Sequence, residues 1–435
     1  MSPSTPSHDR PVDLAVVGAG AAGLAAAIFA AESVRSSGFL VLLVDGAQRP
    51  GAKILVSGGG RCNVTHRDVT PNDFCGGSSH VVQKVLRAFD HHATVAWFER
   101  LGVALKCEDT GKLFPMTDDA HTVLSALLHR VDQLGIKRHF GHRVTDIRPS
   151  PTGFEITTSA GQTRDTLIRA CRVIVATGGL ALPKSGSDGA GLAILERLGH
   201  TIVPTTPALV PLTLKRSRSI AGRFTEFQGT ALEARLRVTA GRATKPYAET
   251  EGAVLFTHFG LSGPAAMDLS RHWLRLKHDQ PDADIHVTMG VREFVSIADA
   301  DRHLTAAAQT HPRRHIETLL RNWWPSRIAE AVARDLGPET TLATLTREKR
   351  LHLATLLAAM PLEVTGTRGY SHAEATAGGV DLREVQWRTM ASRRIPGLHL
   401  CGEILDVDGR IGGFNFQWAW SSGYCAGTGA VAQVG

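Results

Sequence analysis

A glycine-rich turn near the N-terminus is the first segment whose residue types could do chemistry. It reads GAGAAG, the spacing G-x-G-x-x-G. In a strand–turn–helix unit the first glycine allows a tight turn, the second lets a pyrophosphate approach the backbone, and the third allows close helix–strand packing. The helix N-terminus then attracts the phosphates. We therefore predict dinucleotide contacts at Gly18, Gly20, Ala21, Ala22 and Gly23.

The flanking residues supply the strand, helix and acid that this turn requires. Residues 14–17 are a short apolar run typical of a buried parallel strand, and the alanine-rich segment to Ser33 has the composition of a helix. A second apolar run, 39–44, ends at Asp45, where a carboxylate would bind ribose hydroxyls. FAD and NAD both fit this pattern, so it does not decide between them.

A second glycine-rich segment, residues 49–63, reads RPGAKILVSGGGRCN. Three consecutive glycines followed by a cation and an amide can lie against a flat or anionic ligand without side-chain obstruction. A mobile surface loop is the other interpretation. The cofactor-contact candidates in this segment are Lys53, Ser57, Gly58, Gly59, Gly60, Arg61, Cys62 and Asn63.

Later segments narrow the choice of dinucleotide. Residues 142–158 alternate like a strand pair, and residues 173–179 form an apolar run that ends in two glycines. Residues 397–403 end in a glycine and an acid, and a helix-like segment follows from Asn415. This order resembles that of glutathione-reductase-type FAD domains, and an ordinary NAD dehydrogenase does not need these segments.

The same resemblance suggests what the late segments contact. In FAD domains the acid after the late strand contacts the ribityl chain. The following helix directs its positive N-terminus at the flavin pyrimidine edge, where negative charge collects on reduction. The corresponding candidates are Val144, Thr177, Gly178, Gly179, Gly402, Glu403, Gly412, Gly413, Asn415 and Phe416.

His258 is the candidate for a catalytic side chain. It lies in the segment THFGLSGP, whose glycines bracket a turn, and imidazole titrates near neutral pH. A histidine that only fixes a loop is the other interpretation. Cys62 is not expected to anchor the flavin covalently, so FAD should bind non-covalently. We predict no metal site, since the segment 406–409 lacks the further oxygen ligands of a calcium loop.

Composition excludes several classes of protein. With 43% hydrophobic and 20% charged residues, the chain is neither disordered nor collagen-like. The apolar run 14–31 contains the glycine turn, so we expect no membrane segment. The net charge of +7 is not concentrated in any basic block, and nucleic-acid binding is therefore expected to be unlikely. Without a signal peptide or a C-x-x-C spacing, the expected location is cytoplasmic.

Taken together, the segments are similar to one family, the bacterial FAD-dependent flavoproteins that include aminoacetone-oxidase-type enzymes and a bile-acid dehydro-reductase. Asp45 stands where such proteins usually carry Glu, and Gly402–Glu403 where the wider FAD superfamily has Gly-Asp. The matching stretches are 13–31, 53–65, 111–115, 175–183, 207–211, 255–264 and 375–427.

This resemblance implies an α/β fold in which a glutathione-reductase-type, FAD-binding Rossmann domain is interrupted by an insert. The pattern of the insert is first β-rich and then helical, with Ser296 as a helix cap. The expected segments are 1–195 (FAD domain, first part), 196–295 (β-rich subdomain), 296–364 (helical subdomain) and 365–435 (FAD domain, second part).

The main functional hypothesis is an FAD-dependent oxidoreductase that transfers a hydride between flavin and a small organic substrate or NAD(P)H. The sequence contains no second G-x-G-x-x-G, so a nicotinamide would dock transiently as electron donor. Two alternatives stay open: a flavin-containing nucleic-acid-binding or RNA-modifying protein, and a redox-sensing flavoprotein without turnover. The substrate and the oligomeric state cannot be read from the sequence.

Overall fold

The structure is a computed structural model. It describes residues 11–34, 38–161, 165–241, 243 and 245–432. The ends of the predicted first and last segments, at residues 1 and 435, lie outside the described residues. Among the helices in these ranges, none has the length and apolar character needed to cross a bilayer.

The chain before the insert alternates strands and helices. The strands are β1 (Val12–Val17), β2 (Val41–Asp45), β3 (Thr65–His66), β4 (Phe74–Gly76), β5 (Leu105–Cys107), β6 (Lys112–Pro115), β7 (Lys137–Phe140), β8 (Arg143–Ser150), β9 (Gly153–Ser159), β10 (Thr166–Val175) and β11 (Ile202–Ala208). The helices are α1 (Ala21–Ser33), α2 (Ala52–Val56), α3 (Ser79–Ala88), α4 (His91–Arg100), α5 (Ala120–Gln133) and α6 (Ala190–Arg197).

The insert consists of an antiparallel sheet and helices. Its strands are β12 (Leu212–Leu214), β13 (Ala231–Ala240), β14 (Ala248–Phe256), β15 (Gly260–Ser262), β16 (Ile285–Gly290), β17 (Met360–Leu362) and β18 (Val364–Thr367). Its helices are α7 (Pro264–Asp279), α8 (Ile297–Thr310), α9 (Ile316–Leu320), α10 (Ser326–Leu336) and α11 (Arg347–Ala359).

The returning chain is short-stranded and ends in one long helix. Its elements are β19 (Ala375–Val380), β20 (Val385–Gln386), β21 (Ala391–Ser392), β22 (Leu398–Leu400), β23 (Val407–Gly409) and α12 (Phe414–Ala432). A single 3-10 turn, Gly402–Ile404, follows β22.

The main sheet of the first unit has β1 at its centre. Among the described strands its order is β20-β21-β22-β10-β1-β2-β7, with β9 pairing β10 and β8 pairing β9. β1 pairs in parallel with both β10 and β2, and the whole of it is buried except Asp13. A strand buried on both faces must be almost continuously apolar, which explains its sequence VDLAVV. The predicted strand pair at 142–158 is confirmed as the antiparallel hairpin β8–β9.

The chain forms two compact units. One comprises Met1–Thr206 with Glu374–Gly435, and the other is Pro207–Ala373. The described strands of the second unit form one sheet of order β17-β16-β13-β14-β15-β12-β18. This sheet takes strands from both sides of residue 295, so the finer division of the insert stays a prediction. Ser296 caps α8 as expected, since its Oγ accepts a hydrogen bond from the Asp299 amide at 3.1 Å.

In the first unit, helices α1 and α12 pack closely because both are rich in small residues. The added Cβ of an alanine at position 427 would lie 2.3 Å from the Ala26 carbonyl oxygen, and one at position 423 would lie 2.8 Å from that of Ala22. Real Cβ atoms do not approach backbone oxygen so closely, so these glycines set the distance between the helices. The two helices begin at Ala21 and Phe414, within two of the predicted cofactor segments.

We expect Gly427→Ala to lower the midpoint of thermal unfolding of the FAD-loaded protein. The new methyl group meets backbone atoms that cannot rotate away, a type of overpacking that costs about 1–3 kcal/mol. We expect this cost to exceed the gain of about 1 kcal/mol in helix propensity, because the methyl group would press on the backbone of α1. Gly366→Ala is the matched control, because its Cβ would meet nothing closer than Thr213 Oγ1 at 3.4 Å. Equal midpoints for the two variants would contradict the packing argument.

Candidate functional site

The glycine turn joins β1 to α1 as its spacing predicts. Gly18 has φ +103°, and its added Cβ would lie 2.5 Å from the Ala176 carbonyl oxygen, so only glycine fits there. Around Gly20, in contrast, an added Cβ would meet no atom within 4 Å. Helix α1 begins directly after it and has no side-chain cap at its N-terminus. The turn therefore offers bare, positively polarised backbone with open space in front of it.

Asp45, at the end of β2, lies against this turn. Its Oδ2 accepts a hydrogen bond from the Ala19 amide at 2.6 Å, and its Oδ1 accepts one from the Ala47 amide at 2.7 Å. These two bonds fix the carboxylate beside the glycines. Because a carboxylate has about four acceptor positions, it can still receive hydroxyl groups of a ribose.

The triple-glycine segment folds into a tight loop after α2. Gly58, Gly59 and Gly60 all have positive φ, and an added Cβ at Gly59 would meet nothing within 4 Å. Ser57 holds the loop together, since its Oγ donates to the Ile54 carbonyl at 2.9 Å and its own carbonyl accepts from the Cys62 amide at 3.0 Å. The loop thus presents backbone rather than side chains on its open side.

Arg61 braces this loop from the outside. Its Nη1 lies 2.6 Å from Glu108 Oε1 and 3.6 Å from Asp118 Oδ1. The guanidinium carbon lies 4.0 Å from the centre of the Phe114 ring. Its charge is therefore already paired with protein groups, and the geometry favours a role in holding the loop.

Cys62 is fully buried and has φ +62°. Burial raises the pKa of its thiol to about 12, because the thiolate would lose its hydration. A nucleophile or a covalent flavin anchor needs an accessible thiolate. Its position agrees with the prediction that FAD binds without a covalent bond.

Asn63 directs an unsatisfied acceptor into the interior. Only 8% of this residue is exposed, and its Oδ1 has no hydrogen-bond partner in the structure. An added Cβ at Gly413, just before α12, would lie 2.7 Å from that oxygen. Two predicted cofactor segments, far apart in the sequence, are therefore adjacent here.

Buried hydrogen bonds join the residues just after the triple-glycine loop to α12. Thr65 Oγ1 donates to Gln417 Oε1 at 2.6 Å, and Trp420 Nε1 donates to the Val64 carbonyl at 2.9 Å. Asn415 forms both of its described bonds with Gly409, accepting from its amide at 2.8 Å and donating to its carbonyl at 2.9 Å. The predicted residue Asn415 thus shapes the turn before the helix, and Phe416 stacks on Trp420 with ring centres 5.7 Å apart.

A second link across the chain is the ion pair of Lys53 and Glu403. Lys53 Nζ lies 2.6 Å from Glu403 Oε2, and both side chains are about one-fifth exposed, at 23% and 19%. Glu403 Oε1 accepts from the Thr376 amide at 2.9 Å. Both predicted residues are therefore fixed in one partly buried site, with the carboxylate held by a cation and a backbone amide.

Thr376 is a residue that the sequence reasoning missed. Its Oγ1 accepts from the amides of Leu180 and Ala181 at 2.8 and 3.0 Å, so it ties the paired-glycine segment to β19. An added Cβ at Gly179 would lie 2.5 Å from that hydroxyl. Thr376 and Gln417 both lie in the matching stretch 375–427, and this was the only signal that could have found them.

The other candidates are placed as follows. Thr177 has a buried Oγ1 without a hydrogen-bond partner, close to Gly178 at the end of β10. Val144 is buried in β8 and pairs with Thr158. His258 is exposed at the turn between β14 and β15, within the second unit.

The first-unit candidates fit the shape and chemistry of FAD. Gly20 and Gly59 face open space, α1 begins without a cap, and the buried oxygens of Asn63 and Thr177 have no hydrogen-bond partner. Such orphaned buried groups are uncommon in proteins and need an explanation, which a bound cofactor would supply here. Within the described residues, no group of three or more His, Cys, Asp or Glu side chains could hold a metal ion.

Comparisons with known proteins agree with this geometry. The sequence profile described as "HI0933-like protein Rossmann domain" matches residues 12–429. The chain is 32% identical to the ribosomal RNA dihydrouridine synthase of Escherichia coli, over 97% of this chain and 98% of that protein. It is equally 32% identical to the 3-dehydro-bile acid delta(4,6)-reductase of Clostridium scindens, over 97% and 99%.

Solved structures show the same fold at low sequence identity. One is the 3-ketosteroid-delta4-(5alpha)-dehydrogenase of Rhodococcus jostii, with TM-score 0.52, 16% identity and 97% coverage of both chains. Another is the 3-ketosteroid delta1-dehydrogenase of Sterolibacterium denitrificans, with TM-score 0.50, 12% identity and coverage of 97% and 99%. The expectation that nucleic-acid binding is unlikely is not supported, given the name of the Escherichia coli relative.

We expect Asp45→Asn to weaken FAD binding about 10- to 100-fold. The substitution keeps the shape but removes the charge that strengthens hydrogen bonds to ribose hydroxyls, worth about 1.5–3 kcal/mol. Titration of the apoprotein with FAD, followed by flavin fluorescence, measures the dissociation constant. Asp13→Asn is the control, since this β1 carboxylate also accepts a backbone amide, from Leu40 at 2.8 Å. An unchanged affinity in Asp45→Asn would refute the assignment.

Cys62 should resist alkylation in the native protein. With its pKa raised to about 12 by burial, the thiol stays protonated throughout the range of pH 7–9, and the group is also inaccessible. Exposed Cys107 is the internal control. After iodoacetamide treatment at pH 8, peptide mass mapping should show Cys107 modified and Cys62 unmodified. Acid precipitation should release all FAD, and a flavin retained on a peptide containing Cys62 would contradict the non-covalent assignment.

Proposed function

Because the chain belongs to the HI0933-like family of bacterial FAD-binding oxidoreductases, we propose that it reduces a carbon–carbon double bond conjugated to a carbonyl group, with a uridine base of ribosomal RNA as its substrate. The family match and the similar solved structures confirm three expectations from the sequence: the family, the α/β FAD-binding fold and the class of FAD-dependent oxidoreductase. The substrate and the electron donor are the new parts of the proposal.

One observation carries the choice of reaction. The two relatives that are each 32% identical over almost the whole chain are named for different substrates, yet their names describe the same chemistry. Dihydrouridine forms when the C5=C6 bond of uracil, conjugated to the C4 carbonyl, is reduced, and a bile-acid delta(4,6)-reductase reduces bonds conjugated to a 3-keto group. In uracil, hydride adds to C6, the carbon β to the C4 carbonyl, and a proton adds to C5. In a 3-keto-4,6-diene, hydride adds to a conjugated electrophilic carbon, C5 for the 4,5 bond or C7 for the 6,7 bond, and a proton completes the reduction.

The electrons are proposed to come from NAD(P)H, so that one nicotinamide and one proton reduce each double bond. FAD, when bound, supplies the hydride-transfer chemistry. Asp45 and the N-terminus of α1 would bind its ribose and phosphates, and Glu403, which pairs with Lys53, would accept hydrogen bonds from its ribityl hydroxyls. The N-terminus of α12 favours negative charge on the ring system.

The proton donor is a separate question. Cys62 is excluded by its burial, whatever its proximity to the glycine loop. We propose His258, which is exposed at the turn between β14 and β15, as the proton donor. The proposed location is the cytoplasm, where ribosomal RNA is found.

Reduction of a steroid enone is the second candidate. It is favoured by the bile-acid reductase relative, which matches this chain over the same length and at the same identity as the RNA-modifying one. The two candidates share the cofactor site and the reaction, so only the substrate distinguishes them.

The test is a direct assay of both substrates with FAD-loaded protein and either NADH or NADPH. With unmodified ribosomal RNA, nucleoside digestion and mass spectrometry should reveal dihydrouridine, a gain of two hydrogens per modified base. A 3-keto bile acid with conjugated double bonds is the parallel arm, read by loss of its ultraviolet absorbance. The Asp45→Asn variant without bound flavin is the negative control. Turnover of the steroid alone would overturn the RNA assignment, and turnover of neither, despite flavin reduction, would favour the redox-sensor alternative.

A further inference from the structure

Three segments of the insert that are far apart in the sequence form one basic surface around Phe259. In the sheet of the second unit, β12 lies between β15 and β18, with Leu212 opposite both Leu261 and Thr367. The chain just outside these strands carries the exposed or half-exposed residues of what we call the Phe259 patch: Arg216, Arg218, His258, Phe259, Arg368 and His372.

The centre of the patch is a stacked cation and ring. The guanidinium carbon of Arg368 lies 4.6 Å from the centre of the Phe259 ring, and its Nη2 lies 2.7 Å from His372 Nε2. The His258 ring is perpendicular to Phe259, with ring centres 4.9 Å apart. One arginine, one phenylalanine and two imidazoles therefore form a continuous polar and aromatic surface.

A basic loop begins beside this centre. The Leu214 amide donates to the Phe259 carbonyl at 3.1 Å, and the next amide, of Lys215, donates to the Glu363 carbonyl at 2.9 Å. Arg218 follows Leu214 by four residues, which is at most about 14 Å of chain. Arg216 and Arg218 therefore follow directly after the strand end that lies beside Phe259.

The charges of this loop are only partly neutralised. Lys215 pairs with Glu363 at 3.2 Å. Arg216 and Arg218 are exposed, and in the part of the chain that the structure describes neither forms an ion pair with an acidic side chain. Most other arginines of the insert's sheet, such as Arg235 and Arg237, are paired with glutamates on the neighbouring strand. The loop is therefore a local excess of positive charge, which the even distribution of charge along the sequence concealed.

We propose that the Phe259 patch binds single-stranded RNA flanking the base to be reduced. This inference rests on the proposed function, since it names the surface by which that substrate is held. Arg216 and Arg218 contact phosphates, and an unstacked base lies on the Arg368 guanidinium plane or the free face of Phe259. Arginine planes and aromatic rings are the surfaces on which proteins stack single-stranded bases. An acidic protein would satisfy the cations but would leave the stacking surface unused.

The experiment compares the affinity of FAD-loaded variants for a fluorescein-labelled, uridine-containing RNA oligonucleotide by fluorescence anisotropy. Arg216→Ala/Arg218→Ala should weaken binding at least 10-fold at 100 mM salt. It should also reduce the slope of log K against log salt by about 1.4, since each phosphate contact on a single strand contributes about 0.7. Arg368→Ala should weaken binding about 5-fold or more with a smaller change of slope, because stacking depends less on salt.

The matched control is Arg313→Ala/Arg327→Ala, which removes the same charge from two exposed arginines in the helical part of the insert. All proteins are first matched by flavin absorbance and melting temperature. Patch variants that bind RNA as tightly as this control would overturn the proposal, and so would equal binding of a labelled polyglutamate peptide to the wild-type protein. These outcomes are distinct from a failure of the proposed function, which would appear as RNA binding without dihydrouridine.

Discussion

The close contact between helices α1 and α12 is the constraint on which the cofactor site depends. Gly423 and Gly427 let α12 approach the Ala22 and Ala26 backbone. Larger side chains would force the helices apart, and in the proposed site the N-termini of these helices would face the phosphates and the ring system of FAD. The relative position of these two positive ends is therefore set by a contact of small residues buried away from the ligand. This explains why two helices with little amphipathic pattern occur in such a protein: each is buried almost all round.

The same contact explains why the FAD unit is discontinuous. The glycine turn comes from the start of the chain and α12 from its end, and the site is complete only when they meet. The meeting is fixed by polar links between distant residues, namely Lys53 with Glu403 and Thr65 with Gln417, in addition to the helix packing. Each link joins a residue that precedes the insert in the sequence to one that follows it. The insert can interrupt the chain between these two parts because it contributes no residue to the contact between α1 and α12.

Local residue pattern predicts the local backbone geometry. The turn at Gly18, the acid at Asp45 and the glycine loop at Gly59 each follow from residue types within a few positions, because strand, turn and helix preferences act over that range. Local pattern does not reveal contacts across the fold. Thr376 has no local signature, and the contacts of Arg61 with Glu108 and Phe114 are visible only in the folded chain. The basic patch is the clearest case, since Phe259 and Arg368 come together only through the pairing of β12 with β15 and β18.

In the proposed reaction the cofactor site and the Phe259 patch have different roles. The cofactor cradle is built from backbone and from a few carboxylates, and such a cradle fixes the class of reaction without distinguishing a uracil from a steroid enone. Relatives of nearly equal identity that are named for those two substrates must then differ elsewhere. The Phe259 patch uses side chains on turns and loops of the insert, where single substitutions change charge and stacking without disturbing a core. On the proposed function, residues such as Arg216 and Arg218 would therefore distinguish the RNA-directed members of the family from the steroid-directed ones, while Asp45 and Lys53 would serve both.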